Sequence, residues 1–167
     1  MTSFVYNLPF GKRGHFGTSW NPVWNALLGN WEVSGIFILQ SGLPVVIGTP
    51  AVNIGQRAEL SDPTIARWFD TSVFRPAAAF TFGSLGPRLP DVRSDGFRNL
   101  DFGLFKGIPF TIADRQYNAQ FRAEFFNSTN NPQFGAPNGT VTSQSFGIVT
   151  SQANDPRSIQ FGLRIMF

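Results

Sequence analysis

The sequence predicts an all-β chain: an antiparallel up-and-down sheet of about five long strands, forming part of a transmembrane β-barrel. Three observations predict it. Apolar residues recur at every second position in several stretches of the chain, the period of a strand lying between two different media. Charged residues make up only 14% of the chain, while phenylalanine appears 19 times; a typical soluble domain carries roughly 25% charged residues. Mean hydropathy is nevertheless near zero. No run approaches the roughly 18 apolar residues of a membrane helix, so the apolar content must be dispersed, as barrel strands disperse it.

The clearest alternation closes the chain, at residues 157–167. Ile159, Phe161, Leu163, Ile165 and Phe167 share one parity, and Ser158, Gln160, Gly162 and Arg164 the other, with Met166 the one apolar intruder. A tilted spanning strand needs about 9 to 11 residues, whereas globular strands cluster near 5 or 6. A soluble domain usually ends in frayed, polar residues; this one ends on Phe167. The pattern resembles the terminal strand signal of bacterial outer-membrane barrels. The resemblance implies that the barrel-assembly machinery reads it and that its apolar side meets outer-membrane lipid.

Earlier strands are weaker versions of the same pattern. Residues 3–10 place Phe4, Tyr6, Leu8 and Phe10 on one face, with Pro9 restricting the segment to an edge or an end. Residues 11–17 are glycine-rich, and residues 21–28 predict one or two helical turns with Asn21 as cap and Pro22 in the first position. Residues 31–40 form the second strand, with Trp31, Val33, Phe37 and Leu39 opposite Glu32, Ser34 and Gln40, blurred by Ile36 and Ile38. Residues 99–106 set Leu100, Phe102 and Leu104 on the expected lipid face, with Lys106 closing it and its stem snorkelling towards an interface. Residues 115–126 set Tyr117, Phe121 and Phe125 on that face and Gln120, Arg122 and Glu124 on the other.

Between these strands lie connections of alternating length. Residues 41–98 form a long excursion rich in proline and glycine, and residues 127–156 a polar one rich in Asn, Gly, Ser and Thr. Connections in compact domains have a median near 4 to 6 residues. Trp68, Phe69, Phe74, Phe80 and Phe82 argue against a plain linker, because disordered segments are poor in aromatics. Residues 107–114 read as a short connection. Membrane barrels have short turns on one rim and long loops on the other, and with Phe167 at the periplasmic rim both excursions fall outside the cell. The link 11–29 is longer than that scheme wants.

Charge narrows the function. The net charge is +3, carried almost wholly by arginine. Arg57, Arg67, Arg75, Arg88, Arg93 and Arg98 are scattered, whereas a nucleic-acid binder clusters its charge on a face, so no nucleic-acid partner is expected. Without cysteine there are no disulfides or thiolate metal sites. Residues 2–10 lack the basic and apolar regions of a secretory signal, which an outer-membrane barrel requires, so the chain is expected to be a piece of a longer one.

Several local motifs stand in order: LPFGK at 8–12, LLGNWEVSGIF at 27–37, QSGLP at 40–44, WFDTSVF at 68–74, FRNLDFGLFK at 97–106 and RAEFFNSTNNPQFGAP at 122–137. With the terminal strand, they resemble the C-terminal part of the barrel in TonB-dependent receptors, in the Oar-like branch that often carries a carboxypeptidase-regulatory-like N-terminal domain. The resemblance spans nearly the whole chain. It implies a share in ligand binding and energised uptake across the bacterial outer membrane, with the rest of the barrel and the plug as partners. TonB would act only through an N-terminal part absent from this sequence. Such transporters have about 22 strands, and five cannot close a membrane barrel.

No catalytic, metal or cofactor-binding residue is expected. His15 is the single histidine and has no nearby carboxylate pair or cysteine, so it reads as an exposed loop residue. Asp91, Asp95 and Asp101 are interrupted by Arg93 and Arg98 and miss the calcium-loop spacing, so they read as solvated loop. Residues 11–14, GKRG, lack the strand-to-helix grammar of a phosphate loop and read as a basic turn at a membrane rim. Charges in a spanning segment are costly unless they face a lumen, so Arg122, Glu124 and Arg164, with Gln120, read as lumen-facing, through wall ion pairs rather than substrate contact. The sequons at Asn127 and Asn138 match a pattern common by chance. The alternative to a barrel segment is a soluble secreted or surface β-sandwich that binds carbohydrate or protein through its loops. No constellation supports an enzyme.

Overall fold

A computed structural model describes residues 1–12, 14–48, 50–86 and 88–167. The chain forms two compact units, one of residues 1–39, 98–131 and 156–167, the other of residues 40–97 and 132–155.

The first unit is a five-stranded sheet. Its strands are β1 (Thr2–Asn7), β2 (Trp31–Gln40), β7 (Phe97–Ile112), β8 (Arg115–Phe126) and β9 (Ser158–Met166), in the order β1-β2-β7-β8-β9. The pairs β1/β2, β7/β8 and β8/β9 are antiparallel. Between β2 and β7, Gly107 N–H donates to Asn30 O and Gly103 faces Ser34, so the two run in opposite directions. The expected bounds of β2 and β8 are the observed ones, and β9 differs by one residue at each end.

Two strands differ from expectation. The first stops at Asn7 because Pro9 has no N–H to continue the ladder; Leu8 N–H still donates to Trp31 O, but Phe10 makes only an isolated bridge to Phe16. The third runs on through residues 107–112, expected to be a connection. Ile108, Phe110 and Ile112 keep the parity of Leu104 and pair in register with Ala119, Tyr117 and Arg115. Pro109 is tolerated because its nitrogen lies on the side that Gly107 uses towards Asn30, beyond the start of β2, where no ladder bond is lost. The hairpin then closes on Ala113 and Asp114, with φ of 46° and 61°, the two left-handed residues of a tight β-turn.

The link between β1 and β2 holds α1 (Pro22–Leu28), with the Asn21 side chain accepting from Trp24 N–H at 2.9 Å as expected of a cap. In β2, Gly35 lets the Phe4 ring lie directly across it, where a Cβ would sit 2.4 Å from that ring.

The second unit corrects the reading of 41–98 and 127–156 as loops. It contains β3 (Pro44–Val46), β4 (Ala51–Asn53), a 3-10 turn (Thr71–Val73), β5 (Phe74–Pro76) and β6 (Arg88–Arg93), paired as β3/β6 and β4/β5. Val45, Phe69, Val73 and Leu89 are fully buried in its core. Phe146, from the second excursion, packs edge-to-face on Phe69 and Phe74 of the first, at centroid distances of 5.2 and 5.7 Å. Such aromatic pairs contribute about 0.5–1.5 kcal/mol beyond their burial. The excursions therefore fold together as one body with its own apolar centre.

Candidate functional site: two faces of one sheet

The sheet has an apolar face and a polar one, because register carries the alternation of each strand onto its neighbour. On the apolar face Phe125, Ala123, Phe121 and Ala119 stand opposite Ile159, Phe161, Leu163 and Ile165. Ile159, Phe161, Leu163 and Ile165 are 51–70% exposed, and Phe167 is fully exposed at the end. Phe102 stands opposite Phe125, and Leu104 opposite Ala123. Leu100 shares their parity. Rings pair along the same face: Phe121 with Phe161 at 6.1 Å, Phe110 with Tyr117 at 5.5 Å and Phe102 with Phe125 at 6.1 Å. All the residues assigned from sequence to a lipid face thus lie on one side, half-buried or exposed.

Lys106 also lies on that face, and here the expectation of a snorkelling side chain is corrected. It is 5% exposed; its ammonium donates to Gly29 O and sits 5.4 Å from the centre of the Trp31 ring. A cation on an apolar wall needs such partners, and the carbonyl with the aromatic face supplies them.

The polar face collects Gln120, Arg122, Glu124 and Arg164, with Gln120 opposite Arg164 and Glu124 opposite Gln160. Arg122 Nη2 lies 3.2 Å from Glu124 Oε1, and its guanidinium stacks 5.1 Å from the Phe105 ring centre. Arg122 and Glu124 therefore form an ion pair on the polar face of the sheet. Asn118 Oδ1 and Arg122 Nε are buried on this face without a hydrogen-bond partner among the described residues, whereas buried polar groups are as a rule paired. Near them opens a cavity of about 340 Å3 whose lining includes Asn30, Glu32, Phe105, Asn118 and Gln120. Asn118 shares the parity of Gln120, which places it on the polar face from sequence alone, but nothing beside it in sequence marks the cavity.

In the second unit a crevice of about 300 Å3 is lined by residues including Ser41, Ser94, Asp95, Gln133 and Phe134. The three aspartates read as solvated loop are structural acceptors instead: Asp91 takes Ala58 N–H and Asp95 takes Phe134 N–H. In the sheet, Asp101 takes Asn127 N–H. Asp70 caps the 3-10 turn; the Ser72 hydroxyl, the Ser72 N–H and Arg67 hold its carboxyl below the usual carboxylate range.

His15 is exposed in the connector. Arg13, in the basic turn 11–14, lies outside the described residues. Both sequon asparagines spend their side-chain amides internally, Asn127 on Asn131 O and Asn138 on Ser143 and Ser145.

A family model described as "Outer membrane beta barrel domain" matches residues 1–160. No curated protein and no solved structure matches the chain. Period-two strands, a sheet with one exposed apolar face and this match converge: the chain belongs to the outer membrane β-barrel domain family, whose place is the bacterial outer membrane.

Proposed function

We propose that the chain is the C-terminal part of a TonB-dependent receptor barrel of the Oar-like branch, serving ligand binding and energised uptake across the outer membrane. One observation carries most of the weight. In an antiparallel sheet, the C-terminal ends of β2 and β8 and the N-terminal ends of β7 and β9 lie at one end of the sheet, so both excursions of the second unit depart from the same rim. The opposite rim holds the Ala113–Asp114 turn. That is the asymmetry of an outer-membrane barrel, long excursions leaving one rim and a tight turn closing the other. The order of the motifs from LPFGK to the terminal strand supports the receptor branch in particular.

In this reading the chain performs no catalysis and takes no cofactor. Outer-membrane lipid covers the apolar face, the barrel-assembly machinery reads residues 159–167, and the polar face is lumen wall towards the plug. The edge strands β1 and β9 take further strands, because open edges are not tolerated in hydrocarbon. The soluble sandwich is disfavoured by an apolar face that stands exposed.

The test is the genomic frame upstream of residue 1. The reading expects a continuous frame encoding a plug and enough strands to bring the total to about 22. A frame encoding a complete small barrel without a plug would overturn the receptor assignment while leaving the outer-membrane family intact.

A further inference from the structure

We propose that α1 and its flanks form a lipid-interface anchor on the outside of the barrel wall, with Val23, Trp24 and Leu27 set among phospholipid acyl chains. Residues 16–31 contain no charged side chain and hold three of the four tryptophans, Trp20, Trp24 and Trp31. No residue of α1 is buried, and Val23, Trp24, Leu27 and Leu28 are 45–65% exposed. A short helix that buries nothing has no protein core to stabilise it, so its apolar side chains need another medium.

Position identifies that medium. Gly29, directly after α1, places its carbonyl on the Lys106 ammonium, and Lys106 belongs to the apolar face of the sheet. Trp20 and Leu28 meet Leu104 and Trp31 around a cleft of about 370 Å3 whose other walls are Leu8 and Phe10. The segment therefore lies over the side of the sheet that carries Phe121 and Leu163, continuous with the surface that the outer membrane covers. Several of its polar groups are used internally: Asn21 caps Trp24 N–H, Asn25 Oδ1 accepts Lys12 N–H, and Trp31 Nε1–H donates to Leu27 O. Internal satisfaction is the requirement for entering an apolar medium. Tryptophan favours the headgroup boundary, and amphipathic helices bind there by their apolar face.

The inference rests on the outer-membrane location and is independent of transport. The chain has no cysteine, so Val23→Cys, Leu27→Cys and Leu163→Cys each carry one fluorescent probe. Carried in the complete barrel with any other cysteine replaced, the labelled positions, reconstituted from isolated outer membranes into phosphatidylethanolamine and phosphatidylglycerol vesicles, are titrated with lipids bearing a nitroxide at a shallow or a deep acyl carbon. The expected result is loss of emission at positions 23 and 27, larger with the shallow nitroxide than with the deep one. Position 163 supplies the reference for a wall residue. Unchanged emission at 23 and 27 beside quenching at 163 overturns the proposal, as does deeper quenching exceeding shallow.

Discussion

The ammonium of Lys106 lies 5.4 Å from the centre of the Trp31 ring, and the residue is buried on the apolar face of the sheet. Residues far apart in the chain are thereby joined, and the charge is shielded by one aromatic face and the Gly29 carbonyl. Replacing Trp31 by Ala strips the ring and leaves a buried cation half-covered. A desolvated cation–π contact is worth about 2 kcal/mol or more, so W31A should lower stability by at least that amount. K106M, which removes the charge and keeps the stem, should be close to neutral or stabilising, as buried charges often are when replaced by apolar groups. Urea unfolding in lipid vesicles checks both, and equal losses in the two variants would contradict this account.

The two faces of β9 should respond oppositely to charge. Leu163 is on the apolar side, opposite Phe121, while Gln160 is on the polar side, opposite Glu124. Arginine on a lipid-facing position near the membrane midplane costs about 2–4 kcal/mol. L163R should therefore impair assembly into the outer membrane, measured by the yield of membrane-inserted protein. Q160R, placed opposite a carboxylate, should insert as the parent does. Similar yields for the two would remove the assignment of faces.

Much of this was legible before any coordinates, because period two is a local signal: residues 31–40 and 115–126 carry their bounds in their own alternation. What was not legible depends on partners distant in sequence. Gly107 and Pro109 look like a break until β2 is seen to end beside them, leaving the proline nitrogen with no ladder bond to lose. Phe146 has no local pattern that ties it to Phe69 and Phe74. The second unit therefore read as two loops, although its aromatics already spoke against a linker. The role of Lys106 was hidden for the same reason, since nothing next to it in sequence announces Gly29 or Trp31.

Ala113 and Asp114 both adopt left-handed backbone, at φ of 46° and 61°. This conformation costs an ordinary L-residue about 1–2 kcal/mol, and asparagine followed by glycine relieves it in a two-residue hairpin. The double variant A113N/D114G should gain about 1 kcal/mol by easing that strain. The measurement is the urea midpoint for unfolding in vesicles. A lower midpoint would show that Ala113 or Asp114 makes a contact worth more than the relief.

The core of the second unit is centred on Phe69, which is fully buried and touches both Phe74 and Phe146 edge-to-face. Truncating a buried phenylalanine to alanine costs about 3–5 kcal/mol. F69A should thus open this unit to protease at residues 40–97 and 132–155 while the strands of the sheet stay protected. Cleavage appearing first within β7 or β8 would mean that the two units do not have separate stabilities.

Acid should loosen the same unit through Asp70. Its carboxyl accepts from the Ser72 hydroxyl at 2.8 Å, the Ser72 N–H at 3.1 Å and Arg67 Nη2 at 2.9 Å. The Ser72 hydroxyl is the largest cause of its lowered pKa, with the backbone N–H and Arg67 adding to it. Because the folded pKa lies below the unfolded one, the contribution is complete above the ordinary carboxylate range. It is lost as pH falls through the lower, folded value. D70N keeps an acceptor at the cap but cannot titrate, so proteolysis of the unit should change less between neutral and acidic pH than in the parent. S72A should raise the Asp70 pKa and move the onset of acid loosening to higher pH. An onset unmoved by S72A would show that other carboxylates set the acid limit.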